Sequence, residues 1–150
     1  MKCLLLALAM LLSGTAVAAS PEELQKALDD RQALMKDMRA ALGGFVPMLK
    51  GDKPWAPAEV QRLAGRLREG AARMPTMFPL GTSSDQRFTM ALPVIWKDPA
   101  GFEATAQAME NAALRLTNIA PGRDPVALSA QVEVLTNTCL DCHKAYRLNR

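Results

Sequence analysis

Cys139-Leu140-Asp141-Cys142-His143 lies close to the C-terminal end of a 150-residue chain and contains its single histidine. C-x-x-C-H is the spacing of covalent haem attachment. Two thiols add across the two vinyl groups of one haem to form thioethers, and the adjacent imidazole offers an axial nitrogen to the iron. Positions i, i+3 and i+4 share one face of an α-helix, so one turn can present all three groups to one porphyrin. Two other chemistries use the same residue types. A redox dithiol belongs in a strand-helix setting that this chain lacks, and a structural zinc site needs four ligands, which only carboxylates could complete here. The expectation is one covalent haem c, held through Cys139 and Cys142, with His143 as the proximal iron ligand.

The other end of the chain bears on where this chemistry happens. Residues 1 to 19 run from Lys2 through an apolar stretch, Cys3 to Leu12, into the small residues Ser13 to Ala19, which is the pattern of a cleaved secretory signal. The apolar stretch is too short to remain as a permanent membrane anchor. Cys3 leaves with it, so the mature chain, residues 20 to 150, keeps only the two motif cysteines, and no disulfide is expected. Its length suits one domain. The formal net charge of +3 falls to +2 without Lys2, and aromatic residues make up 5% of the chain, so nothing points to nucleic acid. Arg62, Arg66, Arg68 and Arg73 cluster, but Glu59 and Glu69 lie among them at helical spacing, as on a solvated helix face.

Four elements must position the motif. Ser20-Pro21-Glu22-Glu23 is a capping box with proline at the first helical position, and Leu24, Leu28, Met35, Met38 and Leu42 continue one face to Gly43-Gly44. A second helix follows Pro57 with Val60, Leu63, Ala64, Leu67, Ala71 and Met74 inward, ending at Pro75. Three prolines and a polar run make residues 75 to 97 a long connection with one short helical turn. Asp98-Pro99 and Asp124-Pro125 each supply a cap and a first-turn proline, opening helices three and four. The last stripe reads Leu128, Val132, Leu135, Cys139, Cys142, Tyr146, so the haem motif continues a buried seam that aims both thiols and the imidazole at the interior. The expected fold is all-α, an antiparallel up-down-up-down four-helix bundle with the haem in its core.

A single C-x-x-C-H at the end of an exported four-helix chain resembles the class II c-type cytochromes, the cytochrome c′ and cytochrome c-556 family. The resemblance covers essentially the whole mature chain. It is carried by Arg31-Gln32-Ala33-Leu34-Met35, Val46-x-x-x-Lys50-Gly51, Leu67 through Phe78-Pro79, Pro93-Val94-Ile95-Trp96, and Cys139 through Arg147. It implies a periplasmic haem protein, and it makes the residue opposite the histidine decisive. High-spin members place a non-ligating residue there and bind small gases, whereas low-spin members place a methionine. In the register of helix one that residue is Met35, with Met38, Met48, Met74 and Met109 as rivals on composition alone, because methionine commonly fills cores. Geometry pulls the other way: if helices one and four end flush, Leu28 is level with His143, and Met35 lies roughly 10 Å further along the axis. The resemblance further implies Arg31 and Arg147 as propionate partners and Phe78 as haem packing.

The expected function is therefore a periplasmic monohaem electron carrier with His143 and Met35 as axial ligands, of the cytochrome c-556 type. It would act without substrate turnover and exchange electrons with periplasmic redox partner proteins. The alternatives are a five-coordinate cytochrome c′ that binds nitric oxide or carbon monoxide and, more remotely, a peroxidase-like enzyme, which lacks a distal histidine for acid-base work. The resemblance also allows a homodimer through helices one and two.

Overall fold

A computed structural model describes residues 19–149. Apart from Ala19, the expected secretory signal lies outside the described residues. Four long helices carry the fold: α1 (Pro21–Gly43), α3 (Pro57–Arg73), α5 (Pro99–Ile119) and α6 (Pro125–Tyr146), with two single-turn helices, α2 (Val46–Leu49) and α4 (Val94–Lys97). Each long helix begins with proline at its first position, where a missing N–H costs nothing and φ is already helical. The capping box closes as expected, with Ser20 N–H donating to Glu23 Oε2 at 2.7 Å and Glu23 N–H to Ser20 Oγ at 3.2 Å. Asp98 caps α5 through Gly101 N–H, and Asp124 caps α6 through Val126 and Ala127 N–H. The expected four-helix bundle is what forms.

Leu63, Leu67, Leu116, Leu128, Leu135 and Phe45 are fully buried and centre the core. Helix α3 packs on α1 and α5, and α5 on α6, while α1 and α6 scarcely meet. That fourth side of the bundle is where the cavity opens. The indole N–H groups of Trp55 and Trp96 find the carbonyls of Ala120 and Phe78 at 3.1 and 2.9 Å, as packing residues with a polar tip should.

Two features of the connections were not legible in the sequence. Residues 44 to 56 contain α2, and Pro47 at its start and Gly51 at φ 78 just beyond it are compatible with a single turn. The long connection is tied down rather than loose. Met90 and Leu92 bracket an isolated antiparallel bridge between Ala91 and Arg147, with Leu92 N–H donating to Tyr146 O at 3.0 Å and Leu148 N–H to Met90 O at 2.8 Å. Among the described residues no strand forms beyond this bridge, and no helix is long and apolar enough to cross a membrane.

Candidate haem site

The α6 seam divides at its middle. Leu128 and Leu135 are fully buried, whereas Val132, Cys139 and Cys142 are half-buried and Tyr146 closes the end. The second half of the seam walls a cavity of about 730 Å³, within the range of cofactor sites. Cys139, Cys142 and His143 line it from α6, and Arg31, Met35, Met38 and Leu42 from α1. Every site residue expected from the sequence, Phe78 and Arg147 included, lines this one cavity.

Burial raises both thiols above the ordinary cysteine value, and Cys139 Sγ lies 3.6 Å from Met109 Sδ. His143 departs from expectation: its side chain is exposed at the cavity mouth, because it follows Cys142 by one residue and so sits about 100° round the helix from it. Partial burial and the charge of Arg147 hold the imidazole below its usual value, so it is neutral with a free nitrogen lone pair at neutral pH. Among the described residues no three His, Cys, Asp or Glu side chains gather as a metal cluster, which leaves the zinc alternative short of ligands.

Leu28, expected level with His143 if helices one and four ended flush, does not share the cavity with it. Leu24 and Leu28 are buried, but neither joins the main core cluster, and neither lines the cavity. The long connection meets Leu24 instead. A Cβ on Gly81, whose φ of +87 already demands glycine, would stand 3.3 Å from Leu24 Cδ1. Met35, not Leu28, thus lines the cavity that the haem motif lines.

The methionines of the cavity differ in their surroundings. Met38 is buried and locked into a notch on α3, where a Cβ on Gly70 would meet its Sδ at 2.7 Å. Met74 and Met109 are buried, Met35 is half-buried, and Met48 does not reach the cavity. Met90, on the long connection, also lines it and was missed, since the aperiodic run from Thr82 to Leu92 carries no signal of facing anything.

Arg31 is the unusual residue. It is 6% exposed, its guanidinium carbon lies 4.3 Å from the centroid of the Phe78 ring, and Nη2 donates to Thr82 O at 3.4 Å. Nη1 is buried with no hydrogen-bond partner. Burial lowers its pKa to about 10, so the group keeps its charge at neutral pH. A buried cation with an open donor calls for an anion. Phe78 itself packs edge-to-face on Phe102 at 4.7 Å and Trp96 at 6.2 Å, and Phe102 on Tyr146 at 5.2 Å. Elsewhere the arginine cluster of α3 behaves as a solvated face: Arg62 pairs with Glu59, and Arg66 with Asp37 of α1.

Two thiols, an imidazole, thioethers and a guanidinium with one open donor, Nη1, around one largely apolar cavity form a donor set that fits a haem with its two propionates. Comparison with known proteins agrees. Residues 26–147 match the family model described as Cytochrome C′. A cytochrome c-556 from Agrobacterium tumefaciens (strain B2A) is 29% identical over 124 residues, 82% of this chain and 98% of that protein. A cytochrome c′ from Alcaligenes xylosoxydans xylosoxydans is 30% identical over 86% of this chain and 96% of its own length. Among solved structures, a cytochrome c′ from Rhodobacter sphaeroides superposes with a TM-score of 0.75 at 28% identity, covering 85% of this chain and 98% of that one. A nitric oxide complex of a cytochrome c prime mutant from Alcaligenes xylosoxidans gives 0.73 at 28% identity, covering 89% and 100%.

Proposed function

This chain belongs to the cytochrome c′ family, and from that membership we propose that it is a periplasmic electron carrier whose iron is held between His143 and Met35. Members of the family carry one covalent haem c, which supplies a one-electron Fe(III)/Fe(II) couple. The chain supplies the rest. Cys139 and Cys142 anchor the haem through thioethers, His143 gives an imidazole nitrogen, and Met35 gives a soft thioether sulfur. Such a ligand pair favours the reduced iron and leaves no exchangeable position. Arg31, through its open Nη1, and Arg147 at the mouth neutralise the propionates, and Phe78 holds Arg31 in place from beneath.

The observation that carries this reading is the half-buried position of Met35 in the same cavity as the haem motif. Met38 one turn away is wedged against Gly70 instead. A second reading is favoured by the structural likeness to a nitric oxide complex. In that reading Met35 stays off the iron, and the protein binds nitric oxide or carbon monoxide. Peroxidase-like turnover has less support, because His143 is the one histidine and is assigned to the iron.

Absorption spectra of the oxidised and reduced protein separate these readings. The proposal expects a low-spin haem with a methionine-to-iron charge-transfer band in the near infrared and no change on adding carbon monoxide. A high-spin ferric spectrum, with a ferrous form that shifts at once under carbon monoxide, would establish the gas-binding reading.

A further inference from the structure

The charges that line the haem cavity are all of one sign. Arg31, Lys36, Arg39 and Arg147 line it, and no aspartate or glutamate does. Yet the whole chain is close to balanced, with 18 basic and 15 acidic residues, so the segregation is local. The acids of α1 beyond its first turn are engaged elsewhere: Asp29 accepts from Gln25, Asp30 pairs with Lys26, and Asp37 reaches across to Arg66 on α3. Asp141, between the motif cysteines, is exposed and does not line the cavity.

With Arg31 and Arg147 assigned to the two propionates, Lys36 and Arg39 remain uncompensated. Both are exposed, both lie on the rim, and neither enters an ion pair among the described residues. Phe88, 88% exposed, lines the same cavity from the segment that the Ala91–Arg147 bridge holds against the end of α6. An apolar contact point bordered by charges of one sign is how a transient protein interface is built: the charges steer the encounter and the apolar centre excludes water.

We infer that this mouth is the docking surface for a redox protein with an acidic patch around its own electron-transfer centre. The inference rests on the electron-carrier reading and adds the partner's chemistry to it. The transfer is one electron from ferrous haem to an oxidised partner, or the reverse, and no bond or proton moves.

The test uses the haem-loaded protein and small oxidants of opposite charge. Stopped-flow oxidation of the ferrous form by ferricyanide, a trianion, should slow as ionic strength rises, and oxidation by tris(phenanthroline)cobalt(III), a trication, should quicken. Lys36→Glu with Arg39→Glu should lower the ferricyanide rate on the order of tenfold and raise the cobalt rate. The control is Lys53→Glu with Arg115→Glu, the same change in net charge at the far end of the bundle, where neighbouring Trp55 reaches Ala120. It should move either rate far less. A short poly-L-glutamate should inhibit ferricyanide oxidation of the parent protein but not of the mouth variant. Equal effects of mouth and remote reversals, or no inhibition by polyglutamate, would overturn the inference, as would retention on anionic phosphatidylglycerol vesicles without a polyglutamate effect. A high-spin spectrum sinks the axial-ligand reading instead, and the charge comparison tells the two failures apart.

Discussion

Met35 and Met38 stand one turn apart on α1 in different surroundings, and substitution should separate them. Met35→Leu removes the proposed sulfur ligand while preserving volume, so the spectrum should become high-spin and carbon monoxide should bind. Met38→Leu should keep the parent spectrum and cost less than about 1.5 kcal/mol in a denaturant titration, since Leu and Met exchange with little loss in cores. Arg31 offers a second test at this scale. A buried guanidinium near the iron favours the ferrous state, so Arg31→Gln should lower the midpoint potential by roughly tens of millivolts in a redox titration. That Cys139, Cys142, His143 and Met35 would share one cavity was legible in the sequence, the first three from the spacing of the motif and Met35 from the register of helix one. The burial of Arg31 was not. A lone arginine on an amphipathic helix reads equally as solvated, and the Phe78 ring and Thr82 carbonyl that enclose it lie 47 and 51 residues away.

Helix α6 is started by Asp124 and finished by Tyr146, and each end can be tested. Asp124 accepts from two backbone N–H groups, so Asp124→Ala should cost about 1 kcal/mol of unfolding free energy with the spectrum unchanged. Tyr146 donates to Asp98 Oδ2 at 3.4 Å, which joins the end of α6 to the start of α5. Burial, first, and then the Asp98 carboxylate hold its phenol above the ordinary value of 10.0. The folded state therefore keeps this proton longer than the unfolded chain. Its contribution to stability is complete below pH 10.0 and is lost as pH climbs toward the folded value; Tyr146→Phe should flatten that alkaline decline in a pH series of thermal melts. The four long helices could be read directly, since prolines, caps and a 3.6-residue period all agree on them. The cover over the start of α1 could not, because Gly81, which packs on Leu24, belongs to an aperiodic connection. The exposure of His143 was misjudged for a related reason: an apolar stripe gives the direction of its own members, and His143 lies beside that stripe.

The bundle as a whole is arranged around its cofactor. Three helix pairs pack tightly and the fourth side opens as a largely apolar cavity of about 730 Å³, whose lining would face water without a haem. Burial of that lining by the haem is expected to stabilise the bundle. A Cys139→Ala, Cys142→Ala protein that carries no haem should keep far-ultraviolet helical dichroism yet lose its near-ultraviolet signal and its cooperative melt. At this scale the fold class was legible from the four amphipathic stripes, whereas the one-sided charge of the mouth was not, since Lys36 and Arg39 look in sequence like any solvated pair. Whether Met35 completes the coordination of the iron can be read from proton NMR of the ferrous protein. An iron-bound methionine holds its ε-methyl over the porphyrin ring, so one three-proton line should stand upfield of tetramethylsilane, persist in Met38→Leu and disappear in Met35→Leu. A parent spectrum without that line, or a line that survives Met35→Leu, would contradict ligation by Met35.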